Sequence, residues 1–135
     1  MKTAKEVVDT MYNGDAFSQW LGIEVESCEA GACKLSMRVR EEMTNGFKIA
    51  HGGISYSLAD SALAFASNGH GQHALSIETA ISHTKPVKAG EKISATASEI
   101  RKSRSIGIYE VRVENEAGDL IAHFKGTVFR KDTEW

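Results

Sequence analysis

The segment from Ile54 to Ser67 constrains the fold more than any other, because its composition is that of a helix with apolar residues on nearly every side. It is rich in Ala and Leu, it contains neither Gly nor Pro, and Gly52-Gly53 precedes it. Such a helix is stable only when other parts of a protein cover it on all sides. We therefore expect a sheet to curl around this helix, and a second copy of the chain to cover the apolar surface that the sheet alone cannot hide.

Most of the remaining chain alternates apolar and polar residues, which is the two-residue period of half-buried strands. A hairpin is predicted before the helix, with strands over 23–28 and 33–39 and a turn at Ala30-Gly31. Four strands are predicted after it, near 75–81, 93–97, 106–113 and 120–129, and a change of apolar phase predicts a bulge near Ile108-Tyr109. Antiparallel strands beside a single apolar helix indicate an α+β fold in which the sheet wraps around the helix.

Two short helices are predicted at the N-terminus. Thr3 and Glu6 have the spacing of a capping box, and Asp15 is placed to cap a second helix that ends at Gly22. The charged segment from Met1 to Glu6 lacks the apolar run of a signal peptide, so we expect the protein to be cytoplasmic.

The composition restricts the classes of function. The 135 residues suit a single domain over 1–135. Sixteen basic against 18 acidic residues give a formal charge of -2, so the chain lacks the basic footprint of a general nucleic-acid binder. The longest weakly polar stretch, Ile49 to Ile77, is broken by glycines and histidines, and no membrane segment is predicted.

The two cysteines, Cys28 and Cys33, flank the predicted hairpin turn symmetrically. A disulfide between them is geometrically possible, but a reducing cytoplasm favours free thiols. We therefore expect both to be packing residues. His70 and His73 are not predicted to bind a metal, since no cysteine or acid beside them completes a ligand set.

Asp60 is the side chain that most strongly indicates chemistry. Between Lys48 and Glu78 it is the only side chain certain to be ionised at neutral pH, and it lies in the middle of the apolar helix. Because an unpaired buried carboxylate is costly, one interpretation is a general base or nucleophile kept in a dry pocket. The alternative is an exposed aspartate on a polar edge that also contains Tyr56, Ser57 and Ser61.

The residues before the helix favour the first interpretation. Asn45-Gly46 and His51-Gly52-Gly53 lead directly into it. Consecutive glycines let a ligand approach the backbone, and the free N–H groups of a helix N-terminus stabilise negative charge, such as the oxyanion formed by attack on a carbonyl. Asp60 lies about 12 Å beyond Gly52 along an ideal helix. One pocket can hold both only if a partner subunit supplies one of them.

The pattern Asn45-Gly46-x4-His51-Gly52-Gly53-x4-Leu58-Ala59-Asp60 resembles that of the hotdog-fold acyl-CoA thioesterases, in the phenylacetate-degradation (PaaI-type) branch of the 4-hydroxybenzoyl-CoA thioesterase superfamily. The similarity extends over nearly the whole chain and includes Lys85-Pro86 and Ala89-Gly90-Glu91. It implies a hotdog fold and hydrolysis of an acyl-CoA, either aromatic, such as phenylacetyl-CoA, or medium-chain. It also implies a homodimer, often paired into a tetramer, with the site across the dimer interface.

The resemblance implies a role for each residue of the motif. Asp60 corresponds to the family's helix acid, Gly52 supplies the N–H that holds the thioester oxygen, and Asn45 orients water or the carboxylate. His51 shapes the loop and is expected near the thioester, whereas Gly53 and Ser76 are expected to contact substrate. The family's N-terminal asparagine is one position away from Asn13, so Asn13 receives no role.

The phosphates of coenzyme A are expected to meet Lys88, Arg101, Lys102 and Arg104. The alternative for 101–104 is a solvated turn between two strands. No cofactor is expected, because coenzyme A is part of the substrate. Two other functions stay open, a non-catalytic acyl-CoA-binding protein and a hotdog dehydratase. A pure binder needs no carboxylate beside the thioester, and a dehydratase is expected to use a histidine–acid pair.

Overall fold

The computed structural model describes residues 1–135 and contains three α-helices and six β-strands. The helices are α1 (Ala4–Asn13), α2 (Ala16–Leu21) and α3 (Gly52–Asn68), and the strands are β1 (Glu24–Glu29), β2 (Ala32–Arg38), β3 (Gln72–His83), β4 (Lys92–Lys102), β5 (Ile106–Asn115) and β6 (Leu120–Glu134). The segment 41–50, without a clear period in the sequence, contains a 3₁₀ turn (Glu41–Met43) and one isolated bridge between Thr44 and Ala50.

The six strands form one antiparallel sheet in the order β1-β2-β4-β5-β6-β3. Helix α3 contacts all six strands, so the sheet wraps around it. This confirms the predicted α+β architecture with one long central helix. The two edges of the sheet are β1 and β3, and β3 comes directly after α3 in the chain.

The two N-terminal helices begin where the sequence predicts, and α2 also ends where it predicts. The N–H of Glu6 donates to Thr3 Oγ1 (3.2 Å), and the N–H of Ser18 donates to Asp15 Oδ1 (2.9 Å). Gly22 ends α2 in the left-handed region, with φ 75°. Both helices contact α3, and α2 is tied to it by a hydrogen bond of 2.8 Å between Ser18 Oγ and Ser61 Oγ.

The core lies between α3 and the sheet. Its α3 side is formed by Leu58, Ala59, Ala62, Leu63, Phe65 and Ala66, all at most 1% exposed. Leu63 packs directly on Gly126 of β6, where a Cβ would lie only 2.5 Å from Leu63 Cδ2. The absence of a side chain at Gly126 therefore sets how closely α3 approaches the sheet.

One chain does not cover α3 on every side, as the amount of apolar surface on this helix predicts. Tyr56, Asp60 and Ala64 are only partly buried. The sheet ends at β3 and the two N-terminal helices are short, so one face of α3 stays open along its length.

None of the three helices has the length and the apolar character needed to cross a membrane. The longest of them is α3, with 17 residues.

The predicted bulge is present at the expected position, but on the other strand. Glu99 pairs with Tyr109 and Arg101 pairs with Ile108, which leaves Ile100 of β4 as the extra residue. In β5, Tyr109 is buried and Ile108 is only partly buried, so the strand keeps one phase. The apparent change of phase came from isoleucines on the outer face.

The expectation that Cys28 and Cys33 are free packing thiols is also wrong. They are direct partners across the β1–β2 hairpin, with their Cα atoms 4.1 Å apart, and their sulfurs form a disulfide. Gly31, with φ 81°, allows the tight turn that sets both side chains opposite each other. The register of the hairpin places the two sulfurs next to each other. The prediction of free thiols rests on the redox state of the cytoplasm and not on this register.

Candidate active site

Asp60 lies on the open face of α3, about two turns beyond the helix start. Its side chain is partly buried, and burial raises the pKa of its carboxyl above the ordinary value, with a further contribution from the negative charge of Asp15. No hydrogen bond contributes to this shift, so nothing in the chain holds the charged form. A carboxylate with a raised pKa and unused lone pairs is equipped to take a proton from water.

The Asp60 carboxylate belongs to a cavity of about 490 Å³ between α3, β3 and β6. The cavity is lined by Met11, Asp60, Leu63, Ala64, Ser67, Asn68, His73, Ala74, Leu75, Ser76, Val128, Lys131 and Trp135. We call it the Asp60 pocket. Ser76, which the resemblance assigns to the substrate, lines the same mostly apolar pocket as Asp60. Partial burial in this pocket argues against an aspartate on a solvated polar edge.

Gly52 lies in a second cavity, of about 460 Å³, at the N-terminal end of α3. Asn45 and Gly52 line it together with Ser55, His83 and Lys85, and we call it the Gly52 pocket. The Gly52 N–H precedes the first intrahelical bond and makes no hydrogen bond within the chain. It is therefore free to donate to an oxygen that develops negative charge.

His51 and Gly53 have a local structural role. His51 is the N-cap of α3, and its Nδ1 accepts from the Gly53 N–H at 2.9 Å. The Gly53 N–H is thus already used, which leaves Gly52 as the free amide. Neither residue lines the Gly52 pocket; both line a shallower depression beside Phe17.

Asn45 combines a loop contact with a free amide group. Its Oδ1 accepts from the Phe47 N–H at 2.9 Å, which fixes the turn before the helix. Its Nδ2 makes no hydrogen bond within the chain, and Asn45 is one of the residues that line the Gly52 pocket. This placement agrees with a group that orients water or a carboxylate.

Three residues near the two pockets were missed by the sequence reasoning. Asp15, predicted only as a helix cap, is near enough to Asp60 to affect its pKa. His83 Nδ1 lies 3.3 Å from Ser55 Oγ, and its ring lies close to Gly52, since a Cβ on that glycine would be 3.2 Å from His83 Nε2. No local sequence pattern identifies Ser55 or His83. They are 28 residues apart in the chain and meet only because α3 packs against the end of β3.

The predicted phosphate ligands fall into two groups. Lys88 is next to the Gly52 pocket, in the loop that contributes Lys85. Arg101 and Lys102 are the last residues of β4 rather than turn residues, and Arg104 follows them in the turn, 3.8 Å from Asp132. The four cations therefore do not form one cluster within a chain.

His70 and His73 lie apart and have different partners. His70 Nε2 lies 2.6 Å from Glu99 Oε1, and the Tyr109 hydroxyl donates to the same oxygen at 2.8 Å. His73 Nδ1 contacts Thr133 Oγ1 at 2.7 Å. Burial raises the pKa of the Glu99 carboxyl, but the hydrogen bonds from Tyr109 and His70 outweigh it, and the net shift is downward. These contacts account for both histidines as structural residues.

The two pockets lie at different places along α3. Gly52 and Asp60 are eight positions apart on one helix, which corresponds to about 12 Å along an ideal helix axis. The Asp60 pocket does not include Gly52, and the Gly52 pocket does not include Asp60. The geometry therefore agrees with the sequence argument that one chain alone does not assemble the complete site.

Comparison with known proteins gives similar sequences along nearly the whole chain. The model of the thioesterase superfamily matches residues 47–122, more than half of the chain. The acyl-coenzyme A thioesterase PaaI of Escherichia coli is 34% identical over 120 residues, which cover 89% of this chain and 86% of that protein. Human acyl-coenzyme A thioesterase 13 is 31% identical over 130 residues, which cover 93% of each chain.

Solved structures agree with this relationship. The structure of E. coli PaaI, from the phenylacetic acid degradation operon, superposes with a TM-score of 0.95 at 32% identity over 97% of this chain and 95% of that one. The TT0310 protein of Thermus thermophilus superposes with a TM-score of 0.84 at 39% identity, over 87% of this chain and 98% of that one. The chain therefore belongs to the thioesterase superfamily and has its hotdog fold.

Proposed function

We propose that this protein hydrolyses acyl-CoA thioesters, with Asp60 as the catalytic carboxylate and the Gly52 N–H as the oxyanion donor. The observation that carries the proposal is the Asp60 carboxyl itself, partly buried, without a hydrogen bond, raised in pKa and facing an apolar pocket. The similarity to proteins named acyl-coenzyme A thioesterases supports the same reaction.

In the proposed reaction the thioester oxygen accepts from the Gly52 N–H while the carbonyl carbon is attacked. As general base, Asp60 takes a proton from the attacking water; as nucleophile, its oxygen forms an anhydride that water then hydrolyses. The carbon–sulfur bond breaks, and the coenzyme A thiolate takes up the proton that water released. The products are a carboxylic acid and coenzyme A, and water is the only co-reactant. The reaction as written invokes no cofactor.

The complete site is proposed to form between two chains, so that Gly52 of one chain faces Asp60 of the other. The free edge of β3 supports this arrangement. It runs for 12 residues, and Leu75 and Ile77 on it are 61% and 60% exposed. A long, apolar, unpaired edge is a template for pairing with another strand. A homodimer, and pairing of dimers into a tetramer, are proposed on this basis.

The remaining predicted residues are proposed to bind the substrate around these two groups. Asn45, with its free Nδ2, orients water or the carboxylate, and Ser76 contacts the acyl end beside Asp60. His51 and Gly53 keep the helix start in shape through their mutual hydrogen bond. Four exposed cationic side chains bind the phosphates of coenzyme A in this proposal: Lys88, Arg101, Lys102 and Arg104.

The decisive experiment is to measure release of free thiol from a panel of acyl-CoA thioesters by the wild type and Asp60→Asn. The substitution keeps the shape of the side chain and removes its basicity. We expect kcat to fall at least about 100-fold, the usual loss when a general base is removed. Asp9→Asn, at an exposed aspartate of α1, is the matched control and should keep full activity.

The same variant tests the pocket through stability. The pKa of Asp60 is raised in the folded state, so protonation of this carboxyl favours folding. This contribution to the free energy of unfolding is complete below the unfolded-state pKa, and it is lost as pH rises through the folded-state pKa. At neutral pH, Asp60→Asn should therefore be as stable as the wild type or more so. Normal turnover would contradict the catalytic role, and a lower melting temperature at neutral pH would contradict the pocket.

A further inference from the structure

Trp135 lines the Asp60 pocket beside Asn68, the lining residue of α3 that is farthest along the helix from Asp60. Its indole N–H donates to Asn68 Oδ1 at 2.8 Å, and its backbone N–H donates to the carbonyl of Gly71 at 3.0 Å. Its ring also packs edge-on against His73, with the ring centroids 4.6 Å apart. Three independent contacts therefore fix the position of this large side chain.

Asn68 provides a rigid anchor for the indole. It is 2% exposed and makes four hydrogen bonds. Its Nδ2 donates to the carbonyls of Ala64 (2.9 Å) and Ala74 (3.0 Å), and its Oδ1 accepts from the Ala74 N–H (2.9 Å) and from Trp135. A buried amide with all its partners satisfied does not change orientation without losing several of them. The wall that Trp135 forms is thus held by the end of α3 and the start of β3.

The length of the pocket follows from the elements that line it. Asp60 and Asn68 are eight residues apart on α3, which is about 12 Å. Ser76 and His73, three residues apart on β3, give about 10 Å along the opposite wall. An extended chain advances about 1.2 Å per bond, so this distance fits about eight to ten bonds.

We propose that Trp135 is the residue that limits acyl length, so that the pocket accepts aryl or medium-chain acyl groups of up to about ten carbons and excludes longer chains. The proposal rests on the proposed function, because it places the acyl group in the Asp60 pocket. The wall is apolar along most of that length, with Leu63, Ala64, Leu75 and Val128. An alkyl or aryl group is the chemistry that such a lining favours.

The test uses S-alkyl coenzyme A thioethers, which bind without being hydrolysed, with alkyl chains from about four to about sixteen carbons. Binding to the wild type, measured by calorimetry, should weaken at least about tenfold beyond about ten carbons. Trp135→Ala should remove this cut-off and tighten binding of the longest chains at least about tenfold. Trp135→Phe keeps an aromatic ring at the wall and should keep the cut-off, and Trp20→Ala, at a half-exposed tryptophan of α2 outside the pocket, should leave the profile unchanged.

Thiol release from acyl-CoA thioesters is measured separately, so that the two proposals fail in different ways. A binding profile that Trp135→Ala extends to longer chains, without any thiol release by the wild type, would support the role of Trp135 and overturn hydrolysis. Thiol release by the wild type, with a binding profile that Trp135→Ala leaves unchanged, would overturn the role of Trp135.

Discussion

Asp60 and Asp15 are two carboxylates from different helices whose charges interact. Burial is the larger cause of the raised pKa of Asp60, and the negative charge of Asp15 adds to it. At the same time Asp15 caps α2 through Ser18, so its position is fixed by a structural role. One residue thus serves the local fold and tunes the proposed catalytic group.

Asp15→Asn separates these two roles. Asparagine caps a helix about as well as aspartate, so α2 should remain intact. Removing the charge should lower the pKa of Asp60. Since the base must be ionised, activity falls as pH falls through that pKa, and the acid limb of kcat/KM against pH should move to lower pH. Asp9→Asn should leave the limb in place, and a limb that does not move in Asp15→Asn would show that the two charges are not coupled.

At the scale of elements, the packing of α3 on the sheet depends on Gly126. The residue lies in the middle of β6, under Leu63, which is 1% exposed. Any side chain there meets Leu63 at a distance that real atoms do not adopt, and the Phe124 ring lies close as well. Strand propensity alone disfavours glycine at such a position. Close approach of the helix explains why glycine is accommodated there.

Gly126→Ala should therefore overpack the core. We expect a loss of about 1–3 kcal/mol in the free energy of unfolding, measured by urea denaturation, with a lower melting temperature. Gly46→Ala is the control, because no atom lies within 4 Å of a Cβ at that glycine. A Gly126→Ala variant as stable as this control would mean that α3 shifts freely on the sheet.

An element is predicted correctly from the sequence when the interactions that form it are between residues close together in the chain. Capping residues such as Thr3 and Asp15 act within one helical turn, and the sequence predicts both helix starts correctly. The bulge at Ile100 depends on how β4 pairs with β5, and a pattern in β5 alone places it on the wrong strand. The Cys28–Cys33 pairing is local and follows from the hairpin register, whereas the reducing compartment expected for the chain predicts free thiols.

At the scale of the whole molecule, the sequence identifies candidate site residues that are close together in the chain, but not the residues that pack beside them. Asp60, Gly52 and Asn45 are marked by a contiguous motif on one loop and one helix. His83 and Trp135 reach the two pockets from β3 and from the segment after β6, far along the chain from that motif. The pairing register of the sheet brings His83 and Trp135 to the pockets, and the spacing of residues along the chain does not show this register.

The separation of the two pockets makes the assembly itself testable. If each site takes Gly52 from one chain and Asp60 from the other, a homodimer of Asp60→Asn and a homodimer of Gly52→Val should both be inactive. The valine would place its side chain against His83 and block the amide. A heterodimer of the two variants, purified through two different tags, has one site with both defects and one intact site. It should recover about half of the wild-type activity per dimer.

The matched control places both substitutions in one chain and pairs it with a wild-type chain. In a site shared between chains, each of the two sites of this heterodimer then contains one defect, and activity should be absent. If instead each chain formed its own site, the wild-type chain would keep its activity and this heterodimer, not the first, would be about half active. The two heterodimers contain the same four residues in different arrangements, so stability and composition are matched. Their opposite activities therefore report only which chain supplies the carboxylate to which amide.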